Sequence, residues 1–168
     1  AVRLQAEAGI DVVSDGEYGK SGTWAFYVHR RLKGIEWRSF TESELKDPMI
    51  AVISGRDREA FPEFYAEYDA RVLAVARSVG RPIVTAPLVY TGQAELQRDI
   101  ANVKAGLART NGVTGFLPVV APASALPNAR NEYYRDEESF LFALADALST
   151  EYRAIIDAGL DLQVDDAF

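Results

Sequence analysis

The stretch EAGIDVVSD at residues 7–15 recurs as DAGLDLQVD at residues 157–165. In each copy a helical segment ends at Ala-Gly, a short apolar strand follows, and an Asp closes the strand. Gly9 and Gly159 are typical helix stops, because glycine adopts the left-handed conformation at low cost. The recurrence therefore predicts two helix–strand junctions of an α/β fold, each with a carboxylate just beyond its strand.

Two further strands and three helices are expected between these junctions. The segments at 83–87 and 118–122 read as strands that each end at a proline, which has no N–H for a β-ladder. Apolar residues at helical spacing predict helices over 60–79, 92–109 and 136–158. Their apolar stripes are, in chain order, Phe64, Tyr68, Val72, Val75 and Val79, then Leu96, Ile100, Val103 and Leu107, then Phe140, Leu141, Leu144, Leu148, Tyr152 and Ile155. Alternating helices and strands predict parallel strands, and four of them make half of a (β/α)8 barrel or an open sheet.

The segment from 18 to 59 interrupts this rhythm. It carries a predicted helix over 23–32, and a short hairpin is expected near Trp37, Phe40 and the apolar residues 49–53. Long excursions after a strand are where barrel enzymes place substrate contacts. We therefore expect one incomplete barrel domain over 1–168, with about four βα units and an insertion at 18–59, that forms part of a longer protein.

Composition excludes several classes of function. Hydrophobic residues make up 48% of the chain and charged residues 26%, as in a globular domain. The net charge is −7 and no basic stripe is present, which argues against a nucleic-acid partner. The chain has no cysteine, so a thiolate metal site cannot form within it. No apolar run reaches the ~20 residues of a membrane span, and a cytoplasmic location is the default expectation.

The carboxyl ends of the predicted strands are the place to look for chemistry, because active sites of parallel α/β folds lie there. The residues so placed are Asp15, Gly16, Glu17, Tyr18, Thr85, Pro87, Tyr90, Ala121, Pro122, Asp165 and Asp166. Convergent carboxylates suit a cation, an ammonium group or proton transfer. Acids in such positions also cap helices or face water, so the pattern alone leaves both interpretations open. His29, the only histidine, lies off the apolar face of its predicted helix and is interpreted as solvated.

A family resemblance narrows these alternatives. The block GIDVVSDGE at 9–17 resembles the block ending in Gly-Glu in cobalamin-independent methionine synthases, and LQVDD at 162–166 resembles that family's Gln-Ile-Asp-Glu-Pro strand end. The stretch 131–166 is similar to the single-barrel members, which include methionine synthase II-like proteins and epoxyalkane–coenzyme M transferases. The resemblance implies a (β/α)8 barrel related to uroporphyrinogen decarboxylase. It also implies methyl transfer, in methionine biosynthesis, from a donor such as methyl-folate to a zinc-activated thiol such as homocysteine.

The resemblance also implies roles for two residues. Glu17 matches the glutamate, and Asp165 the aspartate, that contact the amino-acid end of homocysteine in the family. The family's zinc ligands (His, Cys, Glu and a further Cys) follow the Asp165 match. We therefore expect the zinc site to lie downstream of this chain, with no catalytic or metal-binding residue among the 168. Asp166-Ala167 stands where the family has Glu-Pro.

Three functions follow from these expectations. The first is methyl transfer to homocysteine or a similar aminothiol. The second is alkyl transfer to coenzyme M, whose sulfonate favours basic residues, so that Glu17 and Asp165 favour the first. The third is a non-catalytic module that assembles as a homo-oligomer, since an open half-barrel exposes the edges of its parallel strands.

Overall fold

The computed structural model describes residues 1–20, 22–46 and 56–167. Its α-helices are α1 (Val2–Glu7), α2 (Tyr27–Arg30), α3 (Arg56–Ala60), α4 (Pro62–Val79), α5 (Gln93–Leu107), α6 (Pro122–Ala125) and α7 (Glu137–Asp157). Its strands are β1 (Val12–Ser14), β2 (Leu32–Arg38), β3 (Arg81–Tyr90), β4 (Thr114–Val120), β5 (Arg130–Asn131) and β6 (Asp161–Asp165). By internal contacts the chain divides into a unit formed by 1–35 with 84–168 and a unit formed by 36–83.

The first sheet has the order β1-β4-β6, and both neighbouring pairs are parallel. Ser14 pairs with Phe116 and Val120 pairs with Asp165, so the carboxyl ends of the strands share one edge. The alternation of these strands with α5 and α7 confirms the predicted α/β class. In the described part of the chain the sheet is open and does not close into a barrel.

The strand predicted at 83–87 does not belong to the first sheet. The expectation of four parallel strands in one sheet is therefore wrong. It is part of β3, which runs from Arg81 to Tyr90 in a second sheet of order β2-β3-β5. Pro87 does not end it. Gly34 of β2 has a φ of +93°, and a side chain there would meet the Pro87 carbonyl oxygen at 2.5 Å. Close pairing of β2 with β3, a tertiary effect, thus overrides the local signal of the proline.

The main hydrophobic core lies in the first unit, and the two predicted stripes there are confirmed. Leu96, Ile100 and Val103 of α5 are buried, as are Phe140, Leu144, Leu148 and Ile155 of α7. They pack with Leu117, Val119 and Val120 of β4. Helix α7 begins where expected because the Asp136 side chain accepts a hydrogen bond from the Ser139 amide at 2.8 Å.

The stripe predicted on α4, in the second unit, is wrong. Phe64 is 61% exposed and Val79 is 41% exposed, whereas Tyr65 is buried beneath the Arg58 guanidinium. The helix is therefore rotated relative to the expected face, and its aromatic rings pack against one another. The apolar residues 49–53 of the expected hairpin lie outside the described residues, and the boundaries of the 18–59 insertion stay a prediction. None of the helices described has the length and apolar character needed to cross a membrane.

Candidate functional site

The carboxyl ends of the strands in the first sheet bring the two sequence-predicted acids into one cavity. Glu17 follows β1, Asp165 ends β6, and both line a cavity of ≈ 330 Å³. The other lining residues are Trp24, Asp166 and Ala167. Three acidic residues thus line this space, and among the residues that the structure describes no basic side chain does. The arrangement suits a positively charged group, and the role of Glu17 and Asp165 in binding a substrate stays a prediction.

Glu17 owes its position to a strained turn. Its φ is +59° and that of Gly16 is +71°, so two consecutive residues adopt the left-handed region. For a residue with a side chain this costs about 1–2 kcal/mol. The Asp15 carboxylate accepts from the Glu17 amide at 2.9 Å, and the Glu17 carbonyl accepts from the Lys20 amide at 3.1 Å. Such strain in a cleft is a common mark of a functional position.

Asp165 is held by the register of β6 and by its neighbours. The Ala121 amide donates to its carbonyl at 2.8 Å, and the Gln163 side chain donates to its carboxylate at 2.7 Å. Next to it, the fully buried Ser124 hydroxyl donates to the Asp166 carboxylate at 2.9 Å and accepts from the Ala167 amide at 2.8 Å. The acidic end of β6 is therefore fixed to the start of α6.

Lys20 was not singled out from sequence as a site residue, although it lies close to Glu17. Its side chain is only 7% exposed, and its Nζ donates to the Pro118 carbonyl at 2.7 Å. The same Nζ lies 3.7 Å from the Glu17 carboxylate and 4.6 Å from the centre of the Tyr27 ring. Burial lowers the pKa of Lys20, and the carboxylates of Glu17 and Asp15 partly offset this. The sequence signal that could have identified Lys20 was its position three residues after Glu17, the acid that follows β1.

A buried polar network lies beyond the Tyr27 ring. Glu151 is 1% exposed and accepts hydrogen bonds from Tyr27 at 2.8 Å and Tyr90 at 2.6 Å. The Arg31 guanidinium lies 3.3 Å from Glu151 and donates to Asp99 at 2.5 Å. Burial, reinforced by the charge of Glu151, raises the pKa values of both tyrosines, so they stay protonated as donors. The network carries two carboxylates for one guanidinium and holds Tyr27 beneath Lys20.

The remaining strand-end residues contribute less to the cavity that Glu17 and Asp165 line. Tyr90 belongs to the buried network, and Thr85 and Pro87 lie within β3 of the second sheet, because β3 is not a strand of the first. Tyr18 is 89% exposed. Pro122 begins α6 directly after Ala121. Of the sequence-predicted ends, the structure brings together only those of β1, β4 and β6.

His29 is not solvated, in contrast to the sequence-based interpretation. It is 1% exposed, and its Nε2 lies 3.2 Å from the Ala125 carbonyl. The predicted helix over 23–32 shrinks to α2 at Tyr27–Arg30, so a helical wheel drawn over ten residues assigned His29 to the wrong face. In the described part of the chain its Nδ1 has no hydrogen-bond partner. Burial lowers the pKa of His29 to about 4.

Two further features bear on ligands. A cavity of ≈ 400 Å³ lies between α1 and α5, and its charged lining mixes Asp15 and Asp99 with Arg3 and Arg109. That mixture has no net preference for a cation or an anion.

Within 1–20, 22–46 and 56–167, no group of three or more His, Cys, Asp or Glu side chains could hold a metal ion. The residues described therefore do not fit the zinc ion that the family resemblance implies.

Comparison with known proteins supports the fold. The mixed α/β structure is similar to the solved structure of a B12-independent methionine synthase from Shewanella sp. W3-18-1, determined in complex with selenomethionine. The TM-score is 0.61 at 19% sequence identity, and the match covers 99% of this chain and 40% of that one. The chain thus spans well under half the length of this relative, and at this identity the likeness shows a related fold. No protein-family model and no curated protein matches the sequence.

Proposed function

We propose that the chain binds the amino-acid end of a thiol substrate such as homocysteine, as part of a methyltransferase of the methionine synthase type. The observation that carries this proposal is the convergence of Glu17 and Asp165 in one cavity, which has no basic side chain among its described lining residues. An ammonium group between two carboxylates forms charge-assisted hydrogen bonds, which are stronger than hydrogen bonds between neutral groups. The half-buried Trp24 provides an apolar wall for the methylene groups of the substrate.

The residues of this chain would bind and orient the substrate, and the reactive sulfur would lie beyond their reach. Methyl transfer forms a bond between the sulfur and the methyl carbon and breaks the bond from that carbon to its donor. In the methionine synthase family a zinc ion, when bound, supplies the thiolate by lowering the pKa of the thiol. The described residues offer no zinc ligand set, so the part proposed for Glu17 and Asp165 is confined to the ammonium end.

Calorimetric titration of the full chain with reduced L-homocysteine tests this proposal. Glu17→Gln and Asp165→Asn should each weaken binding by about tenfold or more, since a hydrogen bond to a charged group contributes about 1.5–3 kcal/mol. Asp161→Asn is the matched control, because Asp161 is an exposed acid on the same strand at the opposite end. It should leave the affinity within twofold.

Two analogues sharpen the test. 4-Mercaptobutanoate lacks only the amino group and should bind at least tenfold more weakly than homocysteine. Coenzyme M carries a sulfonate in place of the amino acid, and three carboxylates in the cavity should exclude it. Equal affinity for homocysteine and 4-mercaptobutanoate, or tighter binding of coenzyme M, contradicts the proposal.

A further inference from the structure

Lys20 occupies an unusual position beside the cavity. It does not line the space itself, yet its charged nitrogen lies between the backbone of β4 and the Glu17 carboxylate. A buried lysine charge needs compensation, because burial penalises the charged form. The direct contacts that compensate it are the Pro118 carbonyl at 2.7 Å, the face of the Tyr27 ring at 4.6 Å and Glu17 at 3.7 Å, and the charges of Asp15, Glu151 and Asp165 also favour the charged form.

The contacts with Pro118 and Tyr27 hold the Lys20 ammonium group in place, and the Glu17 carboxylate lies beside this ammonium group. The Pro118 carbonyl belongs to the central strand of the sheet, and Tyr27 is anchored by its hydrogen bond to Glu151. Glu17, in contrast, sits in a left-handed turn and has a side chain that is 33% exposed. A flexible glutamate at such a site loses affinity for a ligand, because its rotamers must be ordered on binding.

We infer that Lys20 is a positioning residue that orders the Glu17 carboxylate at the cavity and thereby raises the affinity for an ammonium-bearing ligand. The ligand part of this inference rests on the proposed function, and the ordering part does not. Lys20 acts through Glu17, so its contribution to binding should disappear when Glu17 cannot form the ion pair. This dependence distinguishes positioning from a general effect on stability.

The ordering part is tested by side-chain NMR relaxation of the Glu17 methylene groups in the full chain. Lys20→Met should lower their order parameters, Lys20→Gln should do the same, and Lys20→Arg should retain most of the order because it keeps the charge. Lys104→Met is the matched control, since the Lys104 Nζ also donates to a backbone carbonyl, that of Ala158 at 2.8 Å. Unchanged Glu17 order parameters in both Lys20→Met and Lys20→Gln overturn the inference. Either variant suffices if the other fails to fold.

The ligand part is tested by a double-mutant cycle with L-homocysteine. Lys20→Met should weaken binding about fivefold to tenfold when Glu17 is present and by less than twofold in the Glu17→Gln background. Equal losses in the two backgrounds overturn the inference, because Lys20 then acts independently of Glu17. If the unmodified chain does not bind L-homocysteine, the proposed function fails, and the NMR comparison still decides whether Lys20 orders Glu17.

Discussion

Protonation of His29 should destabilise the fold in acid. The imidazole is 1% exposed, and because the Ala125 carbonyl can only accept, the ring proton at neutral pH resides on Nε2. A second proton would go to Nδ1, which has no partner in the described part of the chain. Burial lowers the pKa from the ordinary 6.5 to about 4, so the folded protein resists taking up that proton.

The size and direction of the effect follow from linkage. The pKa of His29 is about 2.5 lower in the folded protein than in the unfolded chain. A pKa difference of one corresponds to 1.36 kcal/mol, so the effect on the free energy of unfolding is about 3 kcal/mol. The unfolded chain binds the proton first as the pH falls. The contribution is therefore fully present above pH 6.5, is lost progressively between pH 6.5 and pH 4, and is gone below pH 4.

Urea unfolding of the parent and of His29→Gln between pH 8 and pH 3.5 measures this directly. Glutamine can keep a donor toward Ala125 but does not titrate. His29 is the only histidine in the chain, so the difference between the two proteins isolates its proton. The parent should lose about 3 kcal/mol relative to His29→Gln on acidification. A difference in the free energy of unfolding that stays constant over this pH range would show that burial does not lower the pKa of His29.

Two further perturbations test the packing around the site. Glu151→Gln leaves the buried Arg31 guanidinium without one of its two carboxylates, and urea titrations should show a free energy of unfolding about 3 kcal/mol lower. Asp146→Asn, at an exposed position of the same helix, is the control and should change the free energy of unfolding little. Equal effects of the two substitutions would show that the network contributes nothing specific. Gly34→Ala forces a side chain within 2.5 Å of the Pro87 carbonyl, whereas Gly112→Ala, at φ +76°, meets no atom within 4 Å. Thermal unfolding should show a cost of about 1 kcal/mol at Gly112 and at least 2 kcal/mol more at Gly34, and equal costs would contradict the close approach of β2 to β3.

The features predicted correctly from sequence are those set by local signals. Helix α7 has a glycine stop at Gly159 and an apolar stripe at regular spacing, and both signals act within one segment. The strand-end position of Glu17 and Asp165 follows equally from the repeated helix–Gly–strand–Asp pattern. A parallel sheet then places such ends at one edge without further information.

The features that sequence reasoning missed depend on contacts between distant segments. β3 contains a proline that reads as a strand end, yet the strand continues to Tyr90 between β2 and β5, both distant in sequence from Pro87. His29 lies in a helix of a single turn, where a 3.6-residue period has too few residues to identify the buried face. Lys20 gains its role from the Pro118 carbonyl, 98 residues away, and no local pattern indicates that contact.

A crystal structure of the full chain with L-methionine bound tests whether Glu17 and Asp165 form an ammonium site. The amino nitrogen should lie within ~3.2 Å of a carboxylate oxygen of Glu17 and of one of Asp165. The thioether should extend past Trp24. An amino acid bound with its nitrogen remote from both carboxylates, for example in the cavity between α1 and α5, would contradict this prediction.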